Sequence, residues 1–304
     1  MVERRPLLGY AMVLVAASLW ALNGAVSKAI LTSGLTSVRL AEVRSTGGVL
    51  GLGLALVLLR PESLRVTRRE LPFLAVFGIL GLGFVQWFYF LAIHRLEIGI
   101  ALLIQYLAPV LVALWARFAA KEVVRKRIWV ALILSLAGLS FVLDVWGGPS
   151  LDAFGVAAAL GTAVTFALYI LLAEHAVERR DPLSLVCLGL GFAALFWAIV
   201  QPWWSFPAGL VDDEVALEGT LLSTRAPVWV LMIVMIVAGT IVPFGLLVGA
   251  IRHIAATRVA IAAMWEPVAA TVVAYAWLGE ALSAVELAGG ALVLAGILLA
   301  QTAR

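Results

Sequence analysis

Charge is scarce in this chain. Of 304 residues, 21 are Lys or Arg and 18 are Asp or Glu, so 13% are charged while 64% are apolar. A soluble domain is about a quarter charged and about half apolar. No soluble fold of this length hides so much apolar surface, and the membrane class follows before any motif is considered. Other absences narrow the function. A single cysteine, Cys187, lies in the apolar run LVCLGLGF, which excludes an intrachain disulfide and suits a small buried residue. His94, His175 and His253 stand singly at the ends of apolar runs, without the spacing of metal ligands. No phosphate-binding Gly-Lys-Ser/Thr loop is present, so ATP does not drive the chain directly. No nucleophile stands in a recognisable arrangement with a histidine. No enzyme and no cofactor are therefore expected. A lipid-modifying membrane enzyme would need a clustered nucleophile, metal triad or acidic motif at one interface. A scaffold or sensor would usually carry a soluble domain, and the longest loop is about 23 residues. Basic residues are not interleaved with aromatics, so the pI near 9.3 does not signal nucleic acid.

What the chain does have is apolar runs. A bilayer-crossing helix needs about 20 mostly apolar residues. Ten candidates are present: 7–31, 37–59, 71–93, 98–118, 128–146, 153–174, 182–203, 227–250, 256–278 and 283–302. The first follows a basic start, Met1-Val-Glu-Arg-Arg, but is too long for a signal-peptide core and is expected to be retained. The loops sort by charge. With the N-terminus in the cytoplasm, the cytoplasmic segments hold sixteen of the 21 Lys and Arg, clustered at 4–5, 60–69, 117–127, 179–180, 252–258 and 304. The opposite side holds Asp144, Asp152, Asp212, Asp213, Glu214, Glu218, Glu280 and Glu286. This is the positive-inside pattern. It predicts a multi-pass protein of the cytoplasmic (inner) membrane with both termini cytoplasmic.

The chain also compares well with itself. AIHRLEIGIALLIQYLAPV (92–110) aligns without gaps on AIRHIAATRVAIAAMWEPV (250–268), and the same register pairs Pro109 with Pro267, Glu122 with Glu280 and Gly138 with Gly296. At another offset, Gly9 to Trp20 pairs with Gly155 to Phe166; the shift lies in the acidic segment 205–226, an extracytoplasmic insertion. Two five-helix repeats, 1–146 and 147–304, are expected. Five is odd, so they lie in opposite orientations, a recurrent plan of secondary transporters with the substrate near the midplane.

A proline, about a dozen apolar residues, a glutamate and a glycine some 16 residues on occur twice: PVLVALWARFAAKE with Gly138, and PVAATVVAYAWLGE with Gly296. With LWALNGAVSK in the first span, the chain resembles the EamA-type, ten-helix branch of the drug/metabolite transporter superfamily over about 290 residues. That resemblance implies a carrier, often an exporter of amino acids or related metabolites, with a central cavity lined by both repeats. The first repeat departs from it with Lys121-Glu122 where the second has Gly279-Glu280.

Polar residues inside spans are costly, about 2.5–3.5 kcal/mol for a charge at a helix centre on insertion scales, so they face a cavity or a partner. Glu266 sits near mid-span, and Pro267 frees a backbone carbonyl near Ala263. The pair predicts a polar notch able to hold an ammonium group or cation; a structural hydrogen bond to another helix is the competing reading. Pro109 and Pro267 are candidate hinges, Pro109 more simply a kink. Trp20, Asn23 and Ser27 share a helical face, as do Gln86, Tyr89 and Phe90. Gln105 and Tyr106 lie in the fourth span, and Tyr169 takes the repeat position of Asn23. Trp265 adjoins Glu266, so the two cannot both face a cavity squarely. Arg44 either receives a substrate carboxylate or pairs with a carboxylate on another helix. Trp20, Asn23, Arg44, Gln86, Tyr89, Gln105, Tyr106, Tyr169, Trp265 and Glu266 are the candidate substrate contacts. No metal site is expected.

The expected function is secondary-active or facilitative export of small metabolites, amino acids among them, by alternating access, from a monomer or homodimer in the lipid bilayer. A coupling proton fits a buried carboxylate; an uncoupled facilitator fits as well. The competing transport reading is a multidrug or nucleotide-sugar carrier.

Overall fold

The computed structural model describes residues 5–96, 98–142, 152–217, 224–273 and 283–302. The expected division at 146/147, Glu280 and the end of the ninth expected span lie outside these residues. The described chain is all-α apart from one small hairpin. In order, the helices are α1 (Pro6–Thr32), α2 (Ser37–Leu59), α3 (Leu71–Ile93), α4 (Ile98–Gln105), α5 (Ala108–Phe118) and α6 (Lys126–Val142). There follow α7 (Ala153–Val177), α8 (Pro182–Val200), α9 (Val228–Ile251), α10 (Ala256–Ala263), α11 (Trp265–Val273) and α12 (Ala284–Thr302). Seven helices, counting the bent Ile100–Phe118 as one, are long and apolar enough to cross a membrane among the described residues. Leu59, Phe118 and Ile199 are 78%, 72% and 72% exposed, a surface that water would penalise and lipid does not. This is an all-α, multi-pass membrane protein.

Local chemistry sets the helix starts. Thr36 caps α2, its hydroxyl accepting from the Arg39 N–H at 3.3 Å. Asp152 caps α7 through the Gly155 N–H at 2.7 Å. Asp181 caps α8 through Leu183 and Ser184. Each side chain satisfies a donor that the first helical turn leaves free.

Two interruptions follow from proline. Pro109 has no N–H for the Gln105 carbonyl, and Pro267 none for Ala263. Gln105 and Ala263 are the last residues of α4 and α10. The chain turns at Tyr106–Leu107 and at Met264, then resumes as α5 and α11. The fourth and ninth expected spans are thus each broken in two. A second irregularity carries no sequence signature. α3 widens to a π-helix over Phe77–Gly83 and α9 over Val237–Ile241. These stretches overlap at the same offset that sets residue 92 against residue 250.

Packing crosses between the two ends of the chain. α1 lies on α9, α10 and α11, while α7 lies on α3, α4 and α5; α2 packs on α8, and α6 on α12. Small residues let the backbones meet, as in other membrane helix pairs. A Cβ added at Gly138 would sit 2.6 Å from the Gly289 carbonyl, and one at Gly296 would sit 2.8 Å from the Ala131 carbonyl. Gly9 abuts His253, and Gly155 abuts Arg95. Each of these contacts maps onto its companion under the sequence alignment of the two ends.

Arg39 closes one end of α2. It is 2% exposed and pairs with the fully buried Glu42 at 2.5 Å. It also donates to the carbonyls of Gln201 and Pro202, both at 3.1 Å, and to Ser205 Oγ at 2.6 Å. The 205–226 insertion, read as a loop, contains an antiparallel hairpin, Glu214–Ala216 with Arg225–Pro227, in which Val215 faces Ala226.

Candidate substrate cavity

A cavity of about 360 Å³ lies between α1, α2, α3, α4, α7, α9 and α11. Its exposed rim includes Thr32 at the end of α1 and His94 just after α3. Its floor is the half-buried Trp20 with the buried Gln105, Phe166, Phe244 and Glu266. Gly24 faces the space, and a Cβ added there meets nothing within 4 Å. The floor is aromatic. Trp20 stands edge-on to Phe244 at 5.2 Å and to Phe166 at 6.2 Å, the geometry favoured by ring quadrupoles. Tyr169 lies beneath, 5.5 Å from Phe244 and 5.6 Å from Phe77.

Two opposite charges enter this largely apolar space. Arg44, 5% exposed, donates from Nε to Thr240 Oγ1 at 3.1 Å and from Nη2 to the Gly239 carbonyl at 2.8 Å. Its guanidinium also stands 5.7 Å from the centre of the Phe90 ring. Glu266, 9% exposed, accepts from the Tyr106 hydroxyl at 2.6 Å through Oε2. Among the described residues Arg44 and Glu266 form no ion pair with each other. Both are held by neutral partners, and among the described residues Nη1 of Arg44 and Oε1 of Glu266 make no hydrogen bond. The amides nearby are anchored too. Asn23 donates to Ser27 Oγ at 3.3 Å and Gln86 to the Leu82 carbonyl at 2.8 Å, and the carbonyl oxygen of each amide has no partner in this structure. Buried polar atoms normally find one; these two oxygens are sealed from the cavity, that of Asn23 against Gly239.

Of the candidate contacts, Trp20, Asn23, Arg44, Gln86, Tyr89, Gln105 and Glu266 line the cavity. Tyr106, Tyr169 and Trp265 do not. Tyr106 and Tyr169 are fully buried one layer behind the wall. Trp265 turns away and donates to Ser18 Oγ at 3.0 Å, as the roughly 100° step between neighbours on a helix requires. The carboxylate partner expected for Arg44 is replaced by a hydroxyl and a carbonyl. Phe166 and Phe244 were not among the candidates. They are the repeat counterparts of Trp20 and Gln86, so the internal alignment carried their signal. Phe90 was placed on the Gln86 face; His94, at the rim, had none.

These features meet in the comparison with known proteins. The EamA-like transporter family profile matches residues 7–144 and 153–302. The chain belongs to the EamA-like transporter family. It is 30% identical to an uncharacterized transporter of Archaeoglobus fulgidus over 76% of each chain. It is 28% identical to the threonine/homoserine exporter RhtA of Escherichia coli K12, over 87% of this chain and 80% of that one. The inner membrane transporter YicL of Salmonella typhimurium LT2, uncharacterized, is 25% identical over 96% of this chain and 94% of its own. A solved crystal structure superposes with a TM-score of 0.75 at 19% identity, covering 96% of both chains; that likeness concerns the fold. The protein is thus a membrane transporter of the EamA family.

Proposed function

We propose that this EamA-family transporter exports small zwitterionic metabolites of the amino-acid type. The observation that carries the reading is the pair of held, opposite charges in one aromatic-walled cavity. Arg44 suits a carboxylate, because a guanidinium forms strong, directional bonds to that group. Glu266 suits an ammonium. The apolar floor of Trp20, Phe166 and Phe244 accommodates a side chain. The relation to exporters named for threonine and homoserine points the same way. A nucleotide-sugar cargo fits less well, since Arg44 is the guanidinium on the wall among the described residues and a carboxylate faces it.

The working cycle is alternating access between two inverted repeats, 1–146 and 147–304, that together make ten crossings. The crosswise packing and the companion contacts at Gly138 and Gly296 support that division. With both termini in the cytoplasm of the cell and the protein in its inner membrane, the rim at Thr32 and His94 faces outward. The aromatic floor then closes the cytoplasmic side. One chain encloses the whole cavity, so a monomer suffices, and the protein has no catalytic role. A coupling proton, if used, exchanges at Glu266.

The test is efflux from proteoliposomes loaded with a mixture of proteinogenic amino acids, compared with Glu266→Gln and Arg44→Gln. Selective loss in both variants, with normal reconstitution, supports the reading. Unimpaired efflux from Glu266→Gln, or wild-type efflux indifferent to blocking either end of the zwitterion, overturns it. Repeating the assay with an imposed pH gradient decides the coupling. Labelling of the 205–226 segment from the cytosol would overturn the topology.

A further inference from the structure

Arg44 is gripped by an irregular piece of helix. Gly239 and Thr240 belong to the π-helical stretch of α9. The Gly239 carbonyl accepts from Arg44, and Pro243, four residues on, has no N–H to compete for it. The Thr240 hydroxyl donates to the Met235 carbonyl at 3.2 Å, which leaves its lone pairs for Arg44. Gly239 also lies against the Asn23 amide, and any Cβ there would collide with it. Together these groups occupy the Nε/Nη2 edge of the guanidinium and leave Nη1 without a hydrogen bond among the described residues.

The chain contains its own control for this arrangement. The alignment of residue 92 with 250 sets Leu82 at the position of Thr240. Aligning the capped starts of α2 and α8, Thr36 with Asp181, sets Gly189 at the position of Arg44. These counterparts meet as well: a Cβ added at Gly189 would come 2.7 Å from Leu82 Cδ1. The same junction is therefore built once from a leucine on a glycine and once from a cation on a hydroxyl. The fold does not require the polar version. Burying an arginine in a membrane helix is costly, so that version needs another reason.

We infer that Thr240, with the Gly239 carbonyl, is a positioning element that aims Arg44 at the anionic group of the cargo and so sets selectivity for a carboxylate. This rests on the zwitterion reading above and extends it to residues outside the carboxylate contact itself. Thr240 does not touch cargo; it acts through Arg44.

The experiment compares Thr240→Val, which removes the acceptor and keeps the shape, with Thr240→Ser, which keeps the hydroxyl. The probes are the amino acid that the wild type exports fastest from an equimolar mixture, and the amide of that amino acid. Loss of a hydrogen bond to a charged group predicts a KM for the acid raised about tenfold in Thr240→Val, with Vmax and the amide KM within about twofold of wild type. Thr240→Ser restores the acid KM. An equal change for acid and amide, or a fall in Vmax alone, assigns Thr240 to structure and overturns the inference. A double variant, Arg44→Gly with Thr240→Leu, reproduces the counterpart junction. It is expected to elute and melt like wild type while no longer distinguishing acid from amide; failure to assemble overturns the claim that the fold can do without the cradle. If the wild type moves no amino acid, the zwitterion reading fails by itself. The cradle is then judged by phenylglyoxal modification of Arg44, followed by mass spectrometry. A several-fold faster reaction in Thr240→Val but not Thr240→Ser supports it, and an unchanged rate overturns it.

Discussion

Replacing Tyr106 by phenylalanine removes one oxygen and little else. That oxygen lies 2.6 Å from Glu266 Oε2, and donor and acceptor residues are 0% and 9% exposed. Hydrogen bonds to charged groups contribute about 1.5–3 kcal/mol net, and short ones in water-poor surroundings belong to the stronger class. At about 1.4 kcal/mol per factor of ten, the corresponding range is roughly 10- to 150-fold in affinity. The upper part requires that the carboxylate lose its orientation entirely. The turn that precedes Pro267 limits this, so a rise in KM of about tenfold is expected. The ring should stay, since its edge-on contact with Phe166, at 6.5 Å, does not involve the hydroxyl. Vmax and the melting temperature in detergent should therefore change little. The assay is concentration-dependent efflux from proteoliposomes, run with an amino acid and with its 2-hydroxy analogue, which lacks the ammonium. Tyr106→Phe should weaken the first and spare the second. A KM for the amino acid within twofold of wild type, or an equal rise for the analogue, would refute a role for Tyr106 in presenting Glu266 to an ammonium.

Three further outcomes test the scaffold. Leucine at Gly138 or at Gly296 forces α6 and α12 apart. Overpacking costs about 1–3 kcal/mol per site; the two losses in thermal stability should be similar, and the double variant should lose less than their sum. A large effect at one glycine and none at the other would break the equivalence of the two contacts. Arg39→Met leaves the buried Glu42 unpaired and should cost about 3–5 kcal/mol, with much of it recovered by adding Glu42→Leu; no recovery in thermal melts would show that Arg39 acts through Gln201, Pro202 and Ser205 instead. On the loop before α3, the Thr67 backbone N–H and the Arg180 guanidinium, at 2.8 and 3.0 Å, hold the Glu70 carboxyl down at about 2, below its ordinary 4.5. A depressed carboxyl stabilises fully above its unfolded value and loses that contribution as pH falls through its folded one. The melting difference between wild type and Glu70→Gln should thus be constant above about pH 5 and close toward pH 2; a gap that persists at pH 2 would rule out the ionised bond as its source.

Much of this protein was legible before any coordinates. Composition settled the membrane class, since apolar content acts over the whole chain and needs no knowledge of contacts. The break at Met264, just before Glu266–Pro267, was legible because a proline acts on the carbonyl four residues before it, a local effect. The cost of burying a charge singled out Arg44 and Glu266, since the need to offset it can be read from the residue type and its depth in a span before any partner is known. The paired glycines were visible as a repeat, although what each touches was not.

Tertiary structure decided the rest. Whether an aromatic lines the cavity or stands behind it turns on how each helix is rotated about its axis, and the roughly 100° step between neighbours decides that Glu266 faces the space and Trp265 does not. The π stretches in α3 and α9 have no residue signature, because a shift of hydrogen bonding by one residue is settled by what packs alongside. The partners of Arg44 and Glu266 come from distant parts of the chain, Thr240 and Tyr106. A side chain's need for a partner is written in its own chemistry, but which partner meets that need is fixed only when the helices assemble.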